Sequence, residues 1–159
     1  MRKFAFLLGL VLVGCQSTPQ APSAPSYQGE LIDVGYFDKY GYWQPQRTQS
    51  RLDIGAEKVR KQLAAKGVVV AIYEYKIDST GQLWELNLIQ SVPEGAVTAE
   101  DLIKAKLVDA HWNVAINNKE LTPVKVTERM VIMQSGVAIP PDDMNINDFL
   151  KQLNSKDQR

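Results

Sequence analysis

Two consecutive β-forming runs in the middle of the chain limit the folds open to it. Residues 68–77 are mostly β-branched or aromatic, and residues 83–89 form a second run rich in apolar side chains. Ser79-Thr80-Gly81, between them, is a short turn sequence in which glycine can take a positive φ. The sequence therefore predicts an antiparallel hairpin at the centre of a folded domain.

The alternation of apolar residues is interrupted once in the second run of this hairpin. Leu83, Leu86 and Leu88 pass from an odd position to even positions, so they cannot share one face of a regular strand. A β-bulge inserts one residue and restores the alternation. We therefore predict a bulge near Trp84 and Glu85.

Two segments have helical periodicity. The first has the form of a capping box at residues 50–53 and a natural stop at Gly67, which predicts a helix over residues 51–66. The second begins at residues 98–101, where acidic residues favour a helix start. We expect this second helix to run to about His111.

The remaining signals complete a small domain. Residues 124–133 alternate in part and predict a third strand, Pro140-Pro141 ends the domain, and residues 146–153 predict a short helix. Two helices on one face of an antiparallel sheet of about three strands give a two-layer α+β fold.

The N-terminus has the form of an export signal. Residues 1–3 include two basic side chains, and residues 4–13 are almost continuously apolar but too short to span a bilayer. Leu12-Val13-Gly14-Cys15 then resembles the lipobox of bacterial lipoproteins, which implies cleavage before Cys15 and lipid on its thiol. Gln16 is not the aspartate that favours inner-membrane retention, so the resemblance implies the outer membrane of a Gram-negative cell, with the domain facing the periplasm.

Composition narrows the function classes. Without its first 14 residues the chain keeps 145 residues, with 16 basic against 18 acidic side chains, which argues against nucleic-acid binding. Its single cysteine cannot form an internal disulfide. The predicted organisation is a signal at 1–14, the lipidated cysteine and a proline-rich tether at 15–29, an aromatic-rich segment at 30–50, the domain at 51–134, and a C-terminal tail at 135–159.

Several short motifs, in order, resemble the TonB C-terminal domain family. They are the hairpin turn at residues 77–83, Ser91 after the second strand, Ala105 and Trp112-Asn113-Val114 at the second helix, and Asn117-Asn118 with Pro123-Val124 before the last strand. The resemblance spans about residues 51–134. It implies a domain that binds a receptor peptide, although TonB itself has a transmembrane helix where this chain has a lipidation signal.

Few residues point to catalysis, and we predict no enzyme activity, no metal and no cofactor. The one histidine, His111, is better interpreted as a helix-terminal or packed side chain than as part of a triad. Glu74 and Glu85 are expected at the surface, and Asp142-Asp143 in a solvated loop. A hydrolase is the least supported class.

Two binding hypotheses follow. The first is β-strand addition of an envelope protein or receptor peptide to the last strand, through Val124, Val126, Glu128, Met130 and Ile132. The second is a structural component of an envelope complex that uses residues 36–43 as its contact, with Tyr40, Tyr42 and Trp43. For those aromatic rings, packing onto the domain is the favoured interpretation. Homodimerisation stays open.

Overall fold

The computed structural model describes residues 24–46 and 53–156. The central hairpin consists of β3 (Val69–Ile77) and β4 (Leu83–Val92), as predicted. Gly81 in the turn has a φ of +79°. An added Cβ there would collide with the backbone oxygen of Trp112, so this turn needs glycine for space as well as for conformation.

The predicted bulge is confirmed. Lys76 of β3 faces Trp84 of β4, whereas Glu74 faces Asn87, so β4 has one extra residue between the two pairs. Glu85 lies in this interval with a φ of +52°. Because of the bulge, the three leucines of the strand all pack against the core, namely Leu83, Leu86 and Leu88. A second register shift, which was not predicted, lies opposite Ile72 and Tyr73.

The hairpin belongs to a larger sheet. Strand β3 also pairs antiparallel with β6 (Val124–Met133) along the length of both strands. The other edge of β6 pairs with β1 (Ile32–Val34), which is parallel, and with β7 (Gly136–Ala138), which is antiparallel. The order is β1–β6–β3–β4, with β7 also against β6, so β4 lies at the outside.

A separate two-stranded ribbon pairs β2 (Trp43–Pro45) with β5 (Trp112–Val114). A 3₁₀ helix at Asp38–Gly41 leads directly into β2. The ribbon is anchored to the core, because Trp43 is buried and its Nε1 donates a hydrogen bond to the backbone oxygen of Thr122 at 2.9 Å.

Three helices complete the described part of the chain: α1 (Ile54–Ala64), α2 (Ala99–Lys104) and α3 (Ile146–Lys156). Leu63 of α1 and Leu102 of α2 join the core on the Tyr73 face of the sheet. Helix α3 lies towards the opposite face, where Ile146 borders a hollow with Val70 and Ile72. None of the described helices combines the length and the apolar character that a membrane span requires.

The predicted fold class is wrong. Instead of two helices on about three strands, the described residues form three helices and seven strands, arranged as a sheet of five and a sheet of two. The four strands that sequence patterns missed, β1, β2, β5 and β7, have three residues each, which is too short for an alternation to be visible.

Two local predictions also change. The second helix ends at Lys104 instead of about His111, because Lys106 takes a φ of +50°. The first helix has Asp53 as its N-cap, with the carboxylate accepting from the Ala56 N–H at 2.9 Å. The capping box predicted at residues 50–53 falls mostly outside the described residues. The helices at 51–66 and 146–153 are otherwise confirmed as α1 and α3.

The end of the predicted tether is attached to the domain. The backbone N–H of Ser26 donates to the Asp78 carboxylate at 3.0 Å, and the N–H of Gln28 donates to the Ser79 hydroxyl at 2.8 Å. Asp78 is 1% exposed and also accepts bonds from Thr80, Gln82 and Trp84. One carboxylate therefore holds both the hairpin turn and the segment that precedes the domain.

Candidate functional site

A lysine and a glutamate lie buried together between the 3₁₀ helix and the central sheet. Lys39 and Glu128 are each 2% exposed and form an ion pair through Nζ and Oε1. The alternation of β6 turns Glu128 towards the core, between Val126 and Met130, and the pairing of β1 with β6 brings the 3₁₀ helix over it. Charged residues are almost never fully buried unless they are paired, so the two residues depend on each other.

Two tyrosines of β3 complete the hydrogen bonding of the pair. The Tyr73 hydroxyl donates to Oε2 of Glu128 at 2.5 Å, and the Tyr75 hydroxyl donates to Oε1. Lys39 Nζ in turn donates to the Tyr75 hydroxyl at 3.0 Å. Within the described residues, no buried side-chain nitrogen or oxygen lacks a hydrogen-bond partner. The cluster is therefore a closed network.

Aromatic rings surround the ammonium group of Lys39. Its Nζ lies 4.1 Å from the ring centroid of Tyr36, 4.8 Å from Trp112, 5.1 Å from Tyr40 and 5.7 Å from Tyr75. These distances fall within about 6 Å, the range in which the negative face of a ring attracts a cation. The cage partly offsets the cost of removing the charge from water.

Burial dominates the electrostatics of this cluster. Desolvation lowers the pKa of Lys39, and the adjacent Glu128 carboxylate opposes that shift. Desolvation raises the pKa of both Tyr73 and Tyr75, and the charge of Glu128 raises them further. Both phenols therefore stay protonated and keep donating to the carboxylate well above neutral pH.

A cavity of about 450 Å³ opens beside the cluster. Its floor includes Lys39 and Glu128, and Arg60, Lys106 and Asp109 lie at its exposed opening. Partial burial raises the pKa of Asp109, and the positive charge of Lys39 acts in the opposite direction. The cavity thus combines aromatic and apolar walls with charges of both signs.

The residues predicted for peptide binding lie inside the domain. Val124, Val126, Met130 and Ile132 are at most 3% exposed and face the core, and Glu128 belongs to the buried cluster. Their strand, β6, is paired with β3 on one edge and with β1 and β7 on the other. These side chains are therefore not available at a free sheet edge.

The aromatic segment follows the favoured interpretation. Trp43 is 2% exposed, while Tyr40 and Tyr42 are half-buried against the core. Phe37, which the second hypothesis did not name individually, is the exposed ring at 54%. His111 forms an isolated bridge with Gln82 and is exposed. Cys15 lies outside the described residues, so its lipidation stays a prediction.

The long free edge of the main sheet is β4, not β6, because the opposite edge is formed by the three-residue strands β1 and β7. Strand β4 has a sheet neighbour only in β3, and among the described residues its one backbone hydrogen bond to a segment outside the sheet is at its start, where the Leu83 N–H donates to the oxygen of Ala110 at 3.0 Å. Ile89 and Val92 near its end are 55% and 49% exposed. A hollow of about 700 Å³ runs between this end of β4 and the start of α2.

The sequence contains one signal for the buried cluster, which is the position of Glu128 in its strand. Glu128 occupies a core-facing position in the alternation of β6, and a charge in such a register requires a partner. Lys39, in the middle of an aromatic segment, was the available cation, but its distance along the chain hid the pairing.

Comparison of the chain with family models, with curated proteins and with solved structures gives no match. The resemblance to the TonB C-terminal domain family therefore stays a prediction.

Proposed function

We propose that this protein is a lipid-anchored component of the bacterial envelope whose domain binds an extended segment of a partner protein along β4. The observation on which the proposal rests is the outer edge of β4, which beyond Leu83 pairs with no other strand of the described residues. An edge strand presents a row of backbone N–H and C=O groups, which an extended peptide can satisfy by adding one more strand.

The surroundings of β4 favour an extended peptide over a globular contact. Ile89 and Val92 give the edge an exposed apolar character, and the adjoining hollow is lined by Leu88 and Val97. Because successive side chains of an added strand point to opposite faces, every second side chain of the peptide would enter this hollow, and apolar residues are expected at those positions. The register shifts along β4 limit regular pairing to a short ladder, so the expected ligand is a short segment.

The anchor would keep this edge close to a membrane. Eight residues separate Cys15 from Ala24, the first described residue, and that length of chain reaches at most about 30 Å. Lipid on Cys15 would thus confine the domain to a thin layer beside the membrane, and the outer membrane is the proposed location. Replacing Cys15 with Ser should release the protein from the outer membrane or mislocalise it, without changing its thermal unfolding.

The binding proposal is tested first in cells. A photo-crosslinking amino acid at Asn87, which is exposed on β4, should capture a defined partner segment, whereas the same probe at Ile116, 88% exposed in the turn after β5, should not. Capture by both positions, or by neither, would contradict the proposal.

The second step uses a synthetic peptide of the captured segment. Binding to the soluble Cys15→Ser protein should be lost when alternate amides on one edge of the peptide are N-methylated, and kept when the other set is methylated. Ile89→Lys should weaken binding at least tenfold, while Ile116→Lys should leave it unchanged. Equal binding of both methylated peptides would refute strand addition.

A further inference from the structure

The cavity beside Lys39 and Glu128 has two charges at its opening that lack an ionic partner among the described residues. No acidic side chain of the described residues lies within ion-pair distance of Arg60, and no basic one lies within that distance of Asp109. Arg60 is held in place through Nε, which donates to the oxygen of Ala105 at 2.6 Å, so its terminal nitrogens stay free to donate.

The other charges around the cavity are already neutralised. Lys39 and Glu128 satisfy each other on the floor, and Lys106 pairs with Asp53 at 2.8 Å. Breaking the buried pair to accommodate a ligand charge would leave an uncompensated charge, which is strongly unfavourable. A charged ligand is therefore expected to interact with Arg60 and Asp109, not with the floor.

The walls between opening and floor favour an apolar body. They include the rings of Tyr36, Tyr40 and Trp112 together with Leu107, Val108, Met130, Val137 and Ile139. The volume of about 450 Å³ lies within the range of about 300–1,000 Å³ that is typical of small-molecule sites.

We propose that this cavity binds a free α-amino acid with an apolar side chain, whose carboxylate meets Arg60 and whose ammonium group meets Asp109. The guanidinium fork matches a carboxylate in shape and charge. The apolar side chain of the ligand enters between the aromatic walls. A ligand with a single charge would bring one of the two opening charges out of water without a partner, so it binds less well. This site is separate from β4 and does not depend on the proposed strand addition.

The test compares phenylalanine with two derivatives that each lack one charge. N-acetylphenylalanine keeps the carboxylate, and phenylalaninamide keeps the ammonium group. Titration calorimetry on the Cys15→Ser protein should show phenylalanine binding at least tenfold more tightly than either derivative. Arg60→Gln and Asp109→Asn should each weaken phenylalanine at least tenfold. Lys58→Gln and Asp143→Asn, matched exposed changes away from the cavity, should leave the affinity unchanged.

The derivatives also separate the two contacts. Arg60→Gln should leave the affinity for phenylalaninamide nearly unchanged, and Asp109→Asn should do the same for N-acetylphenylalanine. Absence of phenylalanine binding, equal binding of all three compounds, or equal affinities in the parent and the two cavity variants would each overturn the proposal. Thermal unfolding of every variant, measured without ligand, shows whether a loss of binding reflects a loss of fold.

Discussion

Replacing Lys39 with Met separates the ion pair from the packing that surrounds it. Methionine keeps a long unbranched side chain between the aromatic rings but removes the ammonium group. Glu128 is then left 2% exposed without a cation, although the hydroxyls of Tyr73 and Tyr75 still donate to it. The variant therefore measures what a lone carboxylate costs at this position.

The expected magnitude is large. Removing one partner of a buried pair costs about 3–5 kcal/mol, because the remaining charge is desolvated without compensation. For a domain of this size, each kcal/mol lowers Tm by about 3–4 °C, so the variant should melt about 10–20 °C below the parent protein. Adding Glu128→Gln to Lys39→Met removes the orphaned charge and should restore at least about 2 kcal/mol.

Urea unfolding followed by tryptophan fluorescence and far-UV circular dichroism measures these free energies. The matched control is Lys61→Met, which breaks an exposed pair with Glu57 at 2.9 Å and should cost at most about 0.5 kcal/mol. The argument that the two charges depend on each other would be refuted by a cost below about 1 kcal/mol for Lys39→Met. It would also be refuted if the cost of the double variant equalled the sum of the costs of the two single variants.

Three further outcomes are expected. Above pH 10 the free energy of unfolding should fall, because the raised pKa values of Tyr73 and Tyr75 keep these phenols protonated in the folded state. In the unfolded chain the same phenols ionise near their ordinary pKa of 10.0. Tyr73→Phe should reduce the fall in the free energy of unfolding by up to about 1.4 kcal/mol per pH unit. Asp78→Asn should cost about 2–3 kcal/mol at pH 7 and expose residues 24–28 to proteolysis. Burial raises the Asp78 pKa but its hydrogen bonds lower it more, so the net pKa lies below its ordinary value of 3.8. The stability difference between the parent protein and Asp78→Asn should therefore shrink as pH falls below 3.8. Gly81→Ala should cost at least about 2 kcal/mol in urea unfolding, from the positive φ and the collision with Trp112.

Each of these outcomes has its own control. Tyr27→Phe, at a tyrosine that is 40% exposed, should change the loss of stability above pH 10 less than Tyr73→Phe does. Asp143→Asn, at an exposed position, should leave both stability and proteolysis unchanged. Gly95→Ala, whose added Cβ meets nothing within 4 Å, isolates the conformational part of the glycine effect. A control variant with a larger effect than the variant it is compared with would contradict the corresponding prediction.

The sequence was most informative where a segment was long and regular. The central hairpin, its bulge and the strand over residues 124–133 followed from β-forming composition, turn residues and alternation, because strands of nine or ten residues are long enough to show these patterns. The bulge was predictable since Leu83, Leu86 and Leu88 conflict with any regular strand. These elements make up most of the main sheet.

The errors share a physical cause, which is dependence on contacts distant in sequence. Strand β1 exists through its pairing with β6, about 90 residues further along the chain, and three residues contain no period of their own. The spacing of Ile103, Leu107 and Ala110 predicts a helix that runs to about His111, beside Trp112, but the left-handed Lys106 ends that helix early. The cluster of Lys39 with Glu128 was hidden for the same reason.

The attachment of residues 24–28 to the hairpin turn decides how a mechanical load would pass through this protein. If Cys15 is held in a membrane, tension between the anchor and a partner on β4 enters the domain at Ser26, and the bonds to Asp78 and Ser79 are the first to bear it. Those bonds are few, so they would part before the sheet does. Their rupture would lengthen the tether by a few residues while leaving the partner bound, so the attachment would absorb part of the load before the sheet unfolds.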